Sequence, residues 1–277
     1  MNIYKVIKNS IVTSSALLSL ASMAATNTLT APKTLGDAFK KERFGLFLYS
    51  SSSPEGTSTE FNGVSQTDIA YLTYKISNND SLRLENRLSL SKSEGNDLTA
   101  SFSRSVLRYT RRGLLNQDQH GLNLSASIEK RFLPEREARV GSNTNGLNRI
   151  ILNTSHQLTD TVGLGLSTYF ALSDMRESAT DTTSRNYILV IASQSIDLGN
   201  SYGLSFTQEI FKNNNKSDAG EIHDITVTME LSKQITDKFG TAISVGGSPI
   251  SGKDEWTYSS DFYKNLNYSL ALTYSAF

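Results

Sequence analysis

The sequence predicts an all-β fold, an antiparallel up-and-down barrel of about twelve strands, from three observations. From about residue 44 onward, successive stretches alternate apolar with polar residues at a period of two, as in a strand with two different faces. Most of these stretches are longer than the strands of soluble domains, which most often have about 5–6 residues. The connections between them alternate between short turns and long polar loops.

The alternation is clearest in residues 82–90, where four leucines share one face and Arg83, Glu85 and Arg87 lie on the other. Asn86 is the exception on the leucine face. A tilted strand needs about 9–11 residues to cross a membrane, and most of the predicted strands reach that length. The twelve predicted strands cover residues 44–50, 68–77, 81–92, 98–110, 119–132, 147–158, 162–173, 184–197, 201–211, 223–235, 239–247 and 265–276.

The prolines support these boundaries. All four fall outside the predicted strands, as expected if every strand is hydrogen-bonded on both sides: Pro32, Pro54, Pro134 and Pro249. The tight turns are at 78–80, 159–161, 199–200 and 236–238, and the long connections at 51–67, 93–97, 133–146, 174–183, 212–222 and 248–264.

Residues 1–25 have the pattern of a secretory signal peptide. Lys5 and Lys8 form the positive start, residues 11–20 the short apolar stretch and residues 22–24 a small-residue cleavage site. Residues 26–43 are expected to form a periplasmic lead-in or a short helix, and residues 44–277 the barrel domain. Past the signal, the longest apolar run covers only residues 187–192, too few for a membrane-spanning helix.

Composition excludes several classes of function. The 27 basic and 27 acidic residues balance, which argues against a nucleic-acid partner. The absence of cysteine excludes disulfides, thiolate metal sites and a cysteine nucleophile. Acidic residues in the long connections lack the spacing of a calcium-binding EF-hand loop, so no metal or other cofactor is expected.

The layout of residues 44–277 resembles the Gram-negative outer-membrane β-barrel class. In hydrocarbon every backbone amide must be hydrogen-bonded, so strands can cross a membrane only as a closed barrel. The end of the chain, NYSLALTYSAF, resembles the assembly signal of that class, although Phe277 is out of phase with the apolar residues before it. The resemblance implies an outer-membrane location, contacts with membrane lipid and lipopolysaccharide, and insertion by the barrel-assembly machinery. A soluble, exported β-sandwich is the alternative fold.

Aromatic residues near the predicted strand ends are expected to form girdles at the membrane surfaces: Tyr49, Tyr109, Tyr187, Tyr202, Phe239, Tyr268 and Tyr274. The polar faces of the strands are expected to line the lumen. The predicted lumen-lining residues are Arg83, Glu85, Arg87, Asn123, Glu129, Arg131, Arg149, Glu209 and Glu230.

Four arginines and four glutamates in this set predict a narrow, roughly charge-balanced passive channel for small polar solutes. Arg104 and Arg108 lie on a strand whose face assignment is open, and they would change this balance. The first alternative is a non-conducting structural or surface-binding, adhesion-type barrel that acts through its long extracellular loops.

A lipid-modifying hydrolase is the third reading, and the three histidines are the residues to test for it. Ser155 and His156 are adjacent on a strand and therefore point to opposite faces, so they cannot form a catalytic dyad. His120 and His223 are expected to be solvated. No catalytic residue is predicted, and the protein is expected not to be an enzyme.

Overall fold

The computed structural model describes residues 41–55, 63–93, 99–133, 143–179, 183–215, 221–253, 257–258 and 266–276. These residues form a closed antiparallel barrel of twelve long strands, which confirms the predicted fold class. A two-residue strand, β12, is added at one edge of β11. No helix in the described part of the chain is long and apolar enough to cross a membrane.

The strands are β1 (Phe44–Glu55), β2 (Gly63–Lys75), β3 (Asp80–Ser93), β4 (Thr99–Leu115), β5 (Asn123–Phe132), β6 (Thr144–Gln157), β7 (Val162–Met175), β8 (Ser184–Gly199), β9 (Tyr202–Asn215), β10 (Glu221–Gln234), β11 (Phe239–Lys253), β12 (Thr257–Tyr258) and β13 (Asn267–Ser275). Each of the twelve predicted strands corresponds to one of the long strands. The two shortest predictions, β1 and β11, are in fact 12 and 15 residues long.

The barrel closes where the first strand meets the last. β1 pairs with β13 from Phe47 opposite Ser275 to Ser52 opposite Leu270. β11 pairs with β10 on one side and with β13 on the other, while β12 contacts only two residues of β11. The closed sheet therefore has no long open edge that would leave backbone groups unpaired.

The two faces of the sheet differ in polarity, as the alternation predicts. On β3, Glu85 and Arg87 are buried on the inside, whereas Leu84 and Leu88 are exposed on the outside. Asn86, the polar exception on the outer face, is compensated locally because its Oδ1 accepts a hydrogen bond of 2.8 Å from the Ser105 hydroxyl of β4.

Inside the barrel, two small apolar clusters pack between the polar residues. One contains Tyr49, Ile69, Tyr71, Ala242 and Ala271, and the other contains Ile151, Tyr169 and Ile191. The prediction of an aromatic girdle at the membrane surfaces is wrong for two residues, Tyr49 and Tyr187.

Tyr49 is only 4% exposed and lies inside the barrel. The Tyr187 hydroxyl accepts a hydrogen bond from inward-facing Arg149 and so also lies inside. Each tyrosine has the same parity as a buried residue of its strand, Ser51 for Tyr49 and Ile191 for Tyr187, so strand parity decides their position and closeness to a strand end does not. The four other tyrosines of the set are exposed on the outer face: Tyr109, Tyr202, Tyr268 and Tyr274.

The placement of all prolines outside strands is wrong for Pro54 and Pro249, which lie in β1 and β11. Pro54 lies beyond Ser52, the last residue of β1 that pairs with β13. No backbone N–H is therefore needed at Pro54 to bond with β13. Pro249 lies in an irregularity of the β10–β11 ladder and beyond the last pair of β11 with β13, at Gly246. Proline is tolerated at such positions because its missing N–H breaks no ladder hydrogen bond. Pro32 and Pro134 lie outside the described residues.

The connection between β4 and β5 differs from the prediction, which began a strand at residue 119. Residues 117–120 form a single helical turn instead. The Asn116 side chain accepts a hydrogen bond from the Gln119 amide at 3.0 Å, and Gly121 ends the turn in the left-handed conformation, with φ 76°. These are the usual capping residues of a helix, and they stop the strand pattern from continuing.

Residues 1–40, which include the predicted signal peptide and most of the lead-in, lie outside the described residues, as does Phe277. Residues 41–43 form one 3₁₀ turn. The buried Arg43 guanidinium donates to the carbonyl oxygens of Lys75 and Ile76 at 3.2 and 2.9 Å, which ties the start of β1 to the turn after β2.

We expect Gly146→Ala to destabilise the barrel. A Cβ at this position would collide with the backbone carbonyl oxygen of Arg131, and that backbone is held in the β5–β6 ladder. The free energy of unfolding should fall by about 1–3 kcal/mol, the usual cost of overpacking. Urea unfolding of the refolded barrel, followed by circular dichroism, measures it. Asn145→Ala, at an exposed neighbour, is the control, and equal stability of the two variants would contradict the prediction.

Candidate functional site in the barrel interior

Six arginines project inward from four adjacent strands and form what we call the arginine wall. Because side chains alternate along a strand, residues two apart share a face. The buried residues of each strand therefore show which of its arginines point inward. The wall consists of Arg83 and Arg87 of β3, Arg104 and Arg108 of β4, Arg131 of β5 and Arg149 of β6. Only two glutamates of these strands, Glu85 and Glu129, share the inner face with them.

The strand register places four charged residues in one row. Arg83 lies opposite Arg108, Arg108 opposite Glu129, and Glu129 opposite Arg149. Cross-strand neighbours of this kind have Cβ atoms about 4.5–5.5 Å apart, so long charged side chains meet directly. The row therefore sets one carboxylate among three guanidinium groups.

Glu129 is held between two arginines. Its Oε2 accepts a hydrogen bond of 2.8 Å from the Arg108 Nε, and its Oε1 accepts one of 2.7 Å from the Arg149 Nε. A terminal nitrogen of each arginine donates to the same oxygen as its Nε, so each arginine gives two hydrogen bonds to one oxygen of Glu129. The side chain of Glu129 is fully buried. Such paired, charge-assisted bonds hold both arginines in a single geometry.

Two arginines of the wall also lie over tyrosine rings. The Arg83 guanidinium carbon lies 4.9 Å from the centre of the Tyr71 ring, and that of Arg149 lies 5.3 Å from the centre of the Tyr169 ring. Arg149 also donates to the Tyr187 hydroxyl at 3.3 Å. A ring face stabilises a cation without neutralising it, so the positive charge of the wall is retained.

The charges of the other three arginines, Arg87, Arg104 and Arg131, are less well neutralised by nearby carboxylates. Arg104 reaches Glu85 with an N–O distance of 3.3 Å. The Nε atoms of Arg87, Arg104 and Arg131 are buried and have no hydrogen-bond partner among the described residues. This part of the wall carries three cations near one carboxylate.

Across the interior, strands β9, β10, β11 and β13 present small buried side chains, among them Thr207, Thr228, Ser244 and Ala271. Glu230 of β10 is buried there, its carboxylate makes no ion pair or hydrogen bond with a described residue, and Glu209 of β9 shares this side. A cavity of about 500 Å³ lies toward the short turns of this side. It is lined in part by Tyr49, Ser205, Glu230, Ser232, Gly240 and Ala242.

The structure brings together six of the nine residues predicted to line the lumen: Arg83, Arg87, Arg131 and Arg149 of the arginine wall, with Glu85 and Glu129 beside them. Glu209 and Glu230 lie on other strands. Asn123 lies at the start of β5, where its Oδ1 accepts a hydrogen bond of 3.0 Å from the Gln117 amide. It therefore holds the helical turn at the barrel end.

The sequence does not show whether Arg104 and Arg108 point into the barrel or outward. The structure places both inside. The β3–β4 ladder shifts register where Arg87 pairs with Arg104 and Leu88 pairs with Phe102, so Ser103 is an extra residue in β4. This bulge changes the parity of the strand. Leu107 and Tyr109 on the outer face are the signal that could have assigned the second half of the strand. With these two arginines the inward-facing set holds six arginines and four glutamates.

The histidines show no catalytic arrangement among the described residues. His156 lies on the outer face, and its Nδ1 is 2.6 Å from the Gly121 carbonyl oxygen. The His120 Nδ1 is 3.3 Å from the Asn116 carbonyl oxygen. His223 lies in β10, where its backbone is paired with Lys212 of β9 on one side and Gly252 of β11 on the other. No cluster of three potential metal ligands occurs in the part of the chain that the structure describes.

Two solved structures are similar to this fold. One is the KdgM porin, with 11% sequence identity and a TM-score of 0.50 over 83% of this chain and 98% of the porin. The other is an outer membrane channel from Pseudomonas putida F1, with 12% identity and a TM-score of 0.54 over 84% of this chain and 93% of the channel. No protein-family model and no curated protein sequence matches the chain. The similarity shows the fold, which is that of the outer-membrane β-barrel proteins.

We expect Glu129→Gln to destabilise the barrel strongly. The change leaves Arg108 and Arg149 facing each other without their shared carboxylate, and breaking a buried pair in this way costs on the order of 3 kcal/mol. Asp80→Asn is the matched control, because it breaks an ion pair with Arg111 whose guanidinium is half exposed. Urea unfolding should show a large loss for Glu129→Gln and little change for the control. Equal losses would contradict a structural role for Glu129.

Proposed function

We propose that this protein is an outer-membrane channel through which small polar solutes, with a preference for anions, diffuse passively. The observation that carries the proposal is the arginine wall, together with the excess of arginine over glutamate inside the barrel. The barrel fold supports a pore because its inner face is rich in charged and small polar residues.

The outer face of the barrel supports the membrane location. Exposed leucine, isoleucine and phenylalanine side chains cover it, among them Leu84, Ile128, Ile150, Phe170 and Ile243. Such a surface is stable against lipid tails and costly against water. We propose that the chain is exported by residues 1–25 and inserted by the barrel-assembly machinery. The short turns would then lie in the periplasm, and the long connections would contact lipopolysaccharide.

The size of the barrel favours a narrow pore. An eight-stranded barrel is filled by its own side chains, whereas barrels of about 16–18 strands enclose wide aqueous channels. Twelve strands lie between these limits. Arginine and tyrosine side chains take up part of the interior, so the remaining path suits small solutes only.

The charge distribution favours anions. Fixed charges in a cleft with low-dielectric walls raise the local concentration of ions of opposite sign. The arginine wall does this for anions along β3–β6, while Glu209 and Glu230 provide fewer opposing charges on the other side. The two sides together impose an electric field across the path of a solute.

Planar lipid bilayer recording tests this proposal. The refolded mature protein should produce discrete, stable conductance steps. In a KCl gradient, the reversal potential should be shifted from zero toward the chloride equilibrium potential. Arg87→Glu should move that potential toward the potassium equilibrium potential, because it replaces a buried lumen cation by an anion. Arg111→Glu, at a half-exposed position of β4 outside the arginine wall, is the control and should leave selectivity nearly unchanged. A folded but silent barrel would overturn the proposal and favour a structural or loop-binding role.

Removal of the opposing acid should act in the other direction. Glu230 is buried on the inner face, and its negative charge repels anions in the pore. We expect Glu230→Gln to increase the preference for chloride in the same KCl gradient. Glu177→Gln, in the exposed connection after β7, is the control. Unchanged selectivity in Glu230→Gln would place this residue away from the conducting path.

A further inference from the structure

We infer that Arg87, Arg104 and Arg131 form a binding site inside the lumen for a small oxyanion, a phosphate or a carboxylate with at least two acceptor oxygens. The inference names the solute class of the proposed channel and so rests on the proposed function. It is carried by a different observation, the lack of partners for these particular cations.

The first step of the argument is the placement of the three arginines. Arg87 and Arg104 lie directly opposite each other on β3 and β4. Arg131 pairs with Val106, two residues along β4 from Arg104, and therefore lies diagonally next to it on the same inner face. Diagonal neighbours of this kind are within reach of long side chains. Three guanidinium groups are thus brought together by register alone.

The second step is the shortage of counter-charge. Arg87 is 7% exposed, and neither its guanidinium group nor that of Arg131 makes a hydrogen bond or ion pair with any described residue. Among the described residues, Glu85 is the only carboxylate that contacts the group, through a single contact of 3.3 Å to Arg104. Buried charges in proteins are normally paired, because an unpaired buried charge is expensive. Glu129 cannot supply the missing charge, because both of its oxygens are occupied by Arg108 and Arg149.

The third step is the kind of ligand that would complete the group. The Nε atoms of the three arginines are buried and have no partner among the described residues. The terminal nitrogens of Arg87 and Arg131 make no bond with a described side chain either, so both guanidinium groups can meet a ligand. The planar guanidinium fork matches two oxygens of one carboxylate or phosphate group. A spherical chloride ion offers no such match. A phosphate or a dicarboxylate therefore fits the group better than a halide.

Isothermal titration calorimetry of the refolded full barrel in zwitterionic detergent tests the site without requiring conduction. At low ionic strength, inorganic phosphate and succinate are titrated in separate experiments, and potassium chloride is the third arm. We expect saturable binding of at least one oxyanion and none of chloride at the same concentrations. Which of the two oxyanions binds distinguishes a phosphate site from a carboxylate site.

The variant Arg87→Gln/Arg131→Gln should weaken this binding by at least about tenfold, as expected when charge-assisted bonds to a ligand are lost. Arg111→Gln, which removes a half-exposed positive charge of β4 outside the arginine wall, is the control for a general effect of net charge and should keep the wild-type affinity. Heat-modifiable migration on gels confirms that each variant is folded, and the single variant Arg131→Gln replaces the double variant if that one does not fold.

The outcomes separate this inference from the proposed function. A barrel that conducts but binds neither oxyanion, or that binds them equally well in the double variant, overturns the site and leaves the channel in place. A barrel that is silent in bilayers but binds an oxyanion through these arginines supports the site and overturns passive diffusion. Equal binding of chloride and the oxyanions would also overturn the site, because it would indicate a general response to positive charge.

Discussion

Closure of the hydrogen-bonded sheet is the constraint on which the rest of this structure depends. Once β1 pairs with β13, every long strand has a neighbour on both sides, and the barrel divides space into an inside and an outside. Each strand must then assign alternate residues to these two environments. The apolar rows on the outer face and the charged rows on the inner face are both consequences of this closure. Pro54 and Pro249, the two prolines among the described residues, follow it as well, since they lie where the ladder has ended or is irregular.

The register of the ladder converts this two-sided pattern into a particular electrostatic arrangement. The row from Arg83 through Arg108 and Glu129 to Arg149 exists only because four strands are aligned to within one residue. A slip of one residue in β5 would replace Glu129 by Ile128 or Lys130 on the inner face. Backbone pairing therefore determines which charges meet, and the ion pairs in turn stabilise that pairing.

The arginines of the wall divide into two groups. Arg108 and Arg149 are fully engaged by Glu129, and Arg83 rests against Tyr71, so their positions are set by contacts within the protein. Arg87 and Arg131 have no such contacts with the described residues. The first group gives the wall its rigidity, and the second leaves positive charge for a solute. This division gives one surface both a structural part and a part suited to ligand contact.

The fold class, the number of long strands and the faces of the most regular strands, such as β3, β5 and β10, could all be predicted from the amino-acid sequence. These properties follow from local periodicity, which a single strand displays without its neighbours. Three features depend on the folded barrel: the inward positions of Arg104 and Arg108, the inward positions of Tyr49 and Tyr187, and the sharing of Glu129 between two arginines. Bulges, ladder ends and cross-strand partners depend on residues far apart in the chain. They arise only when the strands pair, and for that reason no pattern within one strand reveals them.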